Sequence, residues 1–429
     1  MRVSRRAAMG RLGSAGAGLA LAPAIIRGQS GPLVVAGQPV EVVVASLSLT
    51  TVRLTVRPLS DAGALPDDDA LARGAHGPAV GRRRDPFSAI DAGELRVRYT
   101  EDPPTLHIET QKGGPIQRLR FDERGSTMAF GLGQGPLLGF GEGGPQFDRK
   151  GAAYTNRNGQ GGYQLRTHGG RVPIQWLLST DGWGMYIHRP LGAFDLSGAE
   201  GVLTPAASAL PVDVFIVAST DPKTILAEFA RITGFAELPP LWSFGYMQSH
   251  RALAGPEEID WVARTFREKR LPCDALIYLG TEFTPSGWNT RNGEFEWKTE
   301  NFPDPKRFID AAHGRHFKVV LHIVIEGQRM SGAVADPCTP DKAVPSGRTP
   351  DDRWPADRAV PCYWPYHKPL FDIGVDGCWP DQGDGLDEPS RLARIRMYWE
   401  GPQQYRPNER PFALHRNGSP GMQRYGAFL

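Results

Sequence analysis

Between residues 34 and 218 apolar positions alternate with polar ones or gather in short β-branched runs. Val40-Glu41-Val42-Val43-Val44, Val52-Arg53-Leu54-Thr55-Val56, Leu95-Arg96-Val97-Arg98-Tyr99 and Ile116-Gln117-Arg118-Leu119-Arg120-Phe121 show this, with Gly, Pro and Asp between them. The pattern predicts antiparallel sheets packed as a sandwich. Residues 61–86 are polar, with Asp67-Asp68-Asp69 and Arg82-Arg83-Arg84, and read as a solvated loop or partly disordered insertion. The period changes at Asp221-Pro222-Lys223, where an N-cap, a first-turn proline and Ile225, Leu226, Phe229 and Ile232 predict a helix ending near Gly234. Beyond it strands and helices alternate. Strands are expected at 242–247, 275–279, 317–325, 375–379 and 411–415, with another opening at 425–429. Helices are expected at 256–269, 305–313 and 388–400, and a long polar loop covers 326–367. Repeated β-then-α units with apolar strands mean a parallel sheet covered by helices.

The fold class is therefore multidomain, β plus α/β: a signal segment at 1–24, a β-sandwich at 30–220, a linker helix at 221–240 and a (β/α) barrel at 241–429. A complete eight-stranded barrel takes about 250 residues. Fewer follow Pro240, so the pattern predicts the first five to six strands of a truncated (β/α)8 barrel that continues past Leu429.

Composition narrows the function classes. A chain of 429 residues, 40% hydrophobic and 22% charged, has an ordinary globular balance with room for more than one core. Its formal charge is +2, and residues 1–24 hold four arginines (Arg2, Arg5, Arg6, Arg11) and no acid, so their removal leaves −2. Neither value points to nucleic acid. Ser4-Arg5-Arg6-Ala7-Ala8-Met9, a weakly apolar stretch and Ala22-Pro23-Ala24 have the layout of a twin-arginine export signal, which predicts a periplasmic or secreted protein. The apolar stretch is too short for a stable membrane span. Four cysteines exclude a disulfide scaffold. Cys273 and Cys378 occupy apolar strand positions and read as small buried hydrophobes. Cys338 and Cys362 flank a Pro/Asp/Arg-rich loop that a disulfide between them would close. No Cys/His spacing suits a metal, and His313, His316 and His322 are expected on a helix end and a neighbouring strand. No cofactor is implied. The glycine-rich 131–144 stretch has the wrong spacing for a dinucleotide loop and reads as a flexible loop reaching toward the next domain.

Polar groups cluster where barrel strands end, the mouth at which this fold keeps its chemistry. Gly280-Thr281-Glu282-Phe283 follows the second strand, Asp381-Gln382-Gly383-Asp384 the fourth and Arg416-Asn417-Gly418-Ser419 the fifth. Carboxylates and a guanidinium beside Trp242, Trp288, Phe283 and Trp379 suit an oligosaccharide or glycoside, with rings stacking on the sugar and charges bonding hydroxyls. Asp384 fits a helix-capping role as well.

The order Phe140 region, Leu238-Pro239-Pro240-Leu241-Trp242, Asn301-Phe302-Pro303-Asp304-Pro305, Trp379-Pro380-Asp381, Arg416 and Gln423-Arg424-Tyr425 resembles glycoside hydrolase family 31. The resemblance implies a galactose-mutarotase-like sandwich before the barrel and retaining α-glycoside hydrolysis. Asp381 would be the nucleophile, with Glu282, Trp379, Asp384, Arg416 and Trp242 around the sugar. The chain departs from the family where most members place an aspartate pair: here stand Gly280 and Glu282, which leaves the sugar preference open. The family's acid/base aspartate follows the Gln-Arg-Tyr run, so the 429-residue polypeptide is expected to be inactive. A non-catalytic carbohydrate-binding protein is the alternative.

Overall fold

The computed structural model describes residues 31–429 except 61–64, 66–67, 123–126, 144–146, 157–167, 189–191, 206–209, 250–254, 292–293, 325–358, 382–387 and 427–429. The export-signal segment, Cys338, the side chain of Cys362 and Asp384 lie outside the described residues.

The first half is a sandwich of two antiparallel sheets. One runs in the order Gln38–Ser46, Thr51–Pro58, Val212–Ala218, Trp183–Ile187, His168–Ser179 and Leu137–Gly143; the other joins Gly192–Asp195, Glu200–Pro205, Met128–Gly131, Pro115–Phe121, Thr105–Thr110 and Leu95–Thr100. Period-two alternation explains the packing. Val52, Leu54 and Val56 meet Leu95, Val97, Leu106 and Ile108 of the facing sheet in one core. Each such side chain, fully buried, contributes roughly 1.5–3 kcal/mol.

The outer face of the first sheet is buried as well. Helix α1 (Pro222–Thr233) lays Ile225 and Ile232 on Trp176, Tyr186 and Phe215. Asp221 caps it, accepting from the Lys223 and Thr224 amides at 3.1 and 3.2 Å.

Two expectations for this half are corrected. The polar 61–86 stretch is no solvated insertion throughout: Ala79–Arg83 is a strand paired with Gln38–Ser46, and Asp68, Ala70 and Ala75 are buried. Arg82 and Arg84 stay exposed but both pair with the buried carboxylate of Glu41. The glycine-rich stretch is a bulged edge strand, Leu137–Gly143, whose register against His168–Ser179 shifts at Gly139 and Gly141. Gly139 has φ 119°, and a Cβ there would collide with the Trp176 carbonyl oxygen.

The second half is a parallel sheet of four strands, β1 (Met247–Ser249), β2 (Ala275–Tyr278), β3 (Lys318–Val324) and β4 (Gly377–Asp381), in that order. Helices α2 (Pro256–Glu268), α3 (Pro305–Gly314), α4 (Ala359–Asp372) and α5 (Glu388–Tyr405) accompany it. Alternate residues face opposite ways. Leu276, Tyr278, Val319, Leu321, Ile323 and Cys378 pack with helix residues such as Ile259, Ile309, Phe371 and Met397. Ala275, Ile277, Val320 and Trp379 gather on the other face, the barrel interior. Cys273 and Cys378 are free and buried, as the apolar strand positions implied.

Several predicted barrel elements shift. The 242–247 strand is a 3-10 turn, Leu241–Phe244, where Ser243 Oγ bonds the Pro240 carbonyl at 2.7 Å; pairing begins only at Met247. The 375–379 strand slides to Gly377–Asp381 because Asp376 is engaged below it, accepting from His313, Lys318 and the Val319 amide. Burial opposes that charge, but these bonds outweigh it and hold the Asp376 carboxyl below its ordinary range. The 411–415 strand reduces to one parallel bridge, Ala413 with Cys378; Met422–Tyr425 is a 3-10 turn, and most of the strand expected at 425–429 lies outside the described residues. The 326–367 loop ends early, since α4 starts at Ala359 and runs through Pro365 and Pro369. A helix-interior proline costs about 3 kcal/mol. Burial of Trp364, Tyr366, Leu370 and Phe371 offsets that here.

The Gln-Arg-Tyr run is the joint between the halves. Gln423 Nε2 donates to Thr233 Oγ1 at 2.8 Å and to the Gly234 carbonyl at 2.9 Å. Arg424 and Tyr425 both donate to Asp69 of the sandwich, Arg424 to its backbone carbonyl and Tyr425 to its carboxylate.

Candidate active site

Asp381 is the last residue of β4, placed there by the two-residue slide, and is 5% exposed. Position parity along β4 turns Trp379 and Asp381 to the interior, while Cys378 packs among the helices. Register sets His322 of β3 opposite Trp379 and one diagonal step from Asp381. His322 Nε2 lies 3.1 Å from Asp381 Oδ2, and Arg416 Nη1 donates to Oδ1 at 3.2 Å. The two carboxylate oxygens thus meet donors from opposite sides.

His322 is 1% exposed and held on every side. Its ring makes edge contacts with Phe283 and Trp379, each with centroids 4.7 Å apart. The Gly280 amide points at Nδ1 at 3.4 Å, and Trp288 Nε1 donates to the His322 carbonyl at 2.8 Å. An amide donor at Nδ1 makes that nitrogen the acceptor, so the proton sits on Nε2 and is given to Asp381.

Arg416 stands on a segment anchored from below. Asn417 and Ser419 are buried, and α5 supplies two fully buried arginines one turn apart. Arg394 Nη2 donates to Asn417 Oδ1 at 3.2 Å, and Arg391 Nη1 to the Gly418 carbonyl at 3.4 Å. Burial, with a smaller contribution from the charge of Arg394, pushes the pKa of His415 well below its ordinary value, so the ring beside Arg416 is neutral.

Of the sequence-predicted residues, Asp381, Trp379 and Arg416 come together. Glu282 sits at the tip of the β2 loop, exposed, in the left-handed backbone region at φ 79°. The loop behind it is tied down by Thr281 N to Asn289 Oδ1 at 2.8 Å and Asn289 Nδ2 to the Glu294 carbonyl at 3.0 Å. Among the described residues no hydrogen bond joins Glu282 to Asp381 or Arg416. Trp242 lies elsewhere. Its ring is 4.7 Å from Phe412, which packs on Gly377 at the start of β4. Four residues of strand rise put that level about 13 Å below Asp381.

Sequence reasoning passed over His322, Arg391 and Arg394 as site residues. A polar residue of interior parity inside the apolar run Lys318–Val324 was the available signal for the first. Arginines spaced i, i+3 just after the Asp381 strand were the signal for the other two.

A β-sandwich is joined to a parallel β/α sheet, with a buried carboxylate braced at the C-terminal strand mouth, where barrels of this kind keep their chemistry. Residues 236–428 match the family described as the glycosyl hydrolases family 31 TIM-barrel domain, so that segment is a family 31 barrel domain. It is 24% identical over 316 residues to an alpha-xylosidase of Saccharolobus solfataricus, covering 70% of this chain and 42% of that protein. With alpha-glucosidase 2 of Bacillus thermoamyloliquefaciens it shares 26% identity over 285 residues, covering 54% and 34%. The chain thus spans less than half the length of these relatives. In fold it is similar to a Flavobacterium johnsoniae GH31 dextranase solved with isomaltotriose, at TM-score 0.74 and 19% identity over 91% of this chain and 53% of that one. A GH31 alpha-xylosidase from a soil metagenome solved with xylose gives TM-score 0.68 at 16% identity, covering 92% and 65%.

Proposed function

We propose that this protein acts as a retaining α-glycosidase on α-glucosides or related α-linked sugars, with Asp381 as the nucleophile. The observation that carries this reading is the braced carboxylate itself: Asp381, buried at the strand mouth, bonded by His322 and Arg416 on its two oxygens. Attack by the carboxylate on the anomeric carbon expels the leaving oxygen and forms a glycosyl ester. A second carboxyl about 5–5.5 Å away protonates that oxygen and later activates water in such a mechanism. The family resemblance assigns this acid to a segment following Gln423-Arg424-Tyr425. The named relatives, an alpha-xylosidase and an alpha-glucosidase, support the α-linkage.

In this reading Glu282, Trp379, Arg416 and Asp384 bond or stack on the sugar, Trp242 packs on Phe412 beneath the site without reaching it, and the sandwich is galactose-mutarotase-like. The arginine-bearing N-terminal segment directs twin-arginine export to the periplasm or beyond. No helix among the described residues is long and apolar enough to cross a membrane.

A 5-fluoro-α-glucosyl fluoride tests the nucleophile, because fluoride leaves without a proton from an acid. Purified protein should gain the mass of one fluoroglucosyl group, mapped to the peptide holding Asp381, and Asp381→Asn should gain none. Sugar binding with no adduct in the parent would instead favour a non-catalytic carbohydrate-binding protein.

A further inference from the structure

An aspartate carboxylate rotates broadly about its terminal torsion, which is an sp³–sp² bond with no sharp staggered wells. A nucleophile must present one oxygen along a defined line, and a misplacement of about 1 Å can cost about 100-fold in rate. Arg416 alone does little to define that plane, since its long side chain is itself 19% exposed. His322 differs: its ring is clamped between Phe283 and Trp379, its carbonyl is bonded by Trp288, and its tautomer is set by the Gly280 amide.

We propose that His322 is the positioning residue for Asp381, its Nε2–H fixing Oδ2 and hence the plane in which the carboxylate meets the anomeric carbon. This rests on the reading of Asp381 as nucleophile. The aromatic clamp makes the ring a rigid donor, and the diagonal register between β3 and β4 brings Nε2 to Oδ2 with no loop in between. His322 touches no reacting atom in this scheme and acts through Asp381.

The test uses the 429-residue protein with the 5-fluoro-α-glucosyl fluoride, following adduct formation by intact mass across reagent concentrations. His322→Phe keeps an aromatic ring between Phe283 and Trp379 but removes the donor. It should lower the maximal labelling rate about 100-fold while the half-saturating concentration changes less than about threefold. His322→Gln, whose amide N–H reaches about as far as Nε2, should recover at least about tenfold of that loss. Labelling of His322→Phe at the parent's maximal rate would overturn the proposal. So would a Gln variant as slow as the Phe variant when both melt like the parent. ¹⁵N imidazole spectra of the parent give a second readout that needs no folded variant at position 322. An Nε2–H tautomer whose resonance moves in Asp381→Asn supports the assignment, and an Nδ1–H tautomer refutes it. A parent that takes no label at Asp381, or an Asp381→Asn variant labelled as fast, brings down the nucleophile reading rather than the His322 step.

Discussion

Replacing His188 with glutamine removes a buried cation from the sandwich, and the cost can be worked from its surroundings. His188 is 3% exposed, with Nδ1 2.9 Å from Asp213 Oδ2 and Nε2 3.0 Å from Asp68 Oδ1. A carboxylate faces each ring nitrogen, so both carry protons. Asp213 is also gripped by Arg53 through Nε at 2.8 Å and Nη2 at 2.7 Å, and by Thr55 Oγ1 at 2.9 Å. Two carboxylates, one guanidinium and one imidazolium then balance to zero charge in the sheet. Burial disfavours the imidazolium, but the bonds and charges of Asp213 and Asp68 outweigh it and raise the His188 pKa from 6.5 to about 9.

At 1.36 kcal/mol per pKa unit, that difference corresponds to about 3 kcal/mol of folding stability. Because the folded pKa lies above the unfolded one, the contribution is complete below pH 6.5 and is lost as the pH rises through 9. Urea unfolding of the parent and of His188→Gln, followed through the sandwich signal from pH 6 to pH 10, checks it. The gap between the two proteins should be widest at pH 6 and narrow by about 3 kcal/mol by pH 10. Taking the difference cancels the cysteines, which both proteins share. A gap that stays constant across that range would refute a charged His188.

Two further outcomes follow from the joints of the molecule. Asp221→Ala removes the acceptor for the Lys223 and Thr224 amides at the start of α1, and should lower stability by about 1 kcal/mol with no change in the fold by circular dichroism. Asp69→Ala removes the carboxylate bonded by Tyr425 and paired with Arg424, so limited proteolysis should cut the 234–240 linker at least about threefold faster; an unchanged rate would show that the sandwich holds the barrel by other contacts.

How far the pattern of residues carries is visible at particular places. Period-two runs such as Leu95–Thr100 and Thr51–Pro58 became strands of a sandwich because alternation needs nothing beyond the strand's own geometry. The cap and proline at Asp221-Pro222 marked α1 for the same local reason. Ala359–Asp372 went the other way: its prolines argue against a helix, and only the buried surface of Trp364, Leu370 and Phe371 makes one. Residues 68–76 read as solvated because charge is visible along a chain while the partners that neutralise it are not.

The site divides along the same line. That Asp381 follows an apolar parallel strand, with an arginine and aromatic residues at neighbouring strand ends, could be taken from spacing and order, since strand parity and the β-then-α repeat are properties of consecutive residues. The two-residue slide of β4, the pairing of His322 with Trp379, the arginines beneath Asn417 and Gly418, and the separation of Trp242 from Asp381 came from the folded chain alone. Each depends on contacts between segments distant in sequence, and the first two on strand register. Register is set by packing and by groups such as Asp376 that bond across it, which no local window of residues contains.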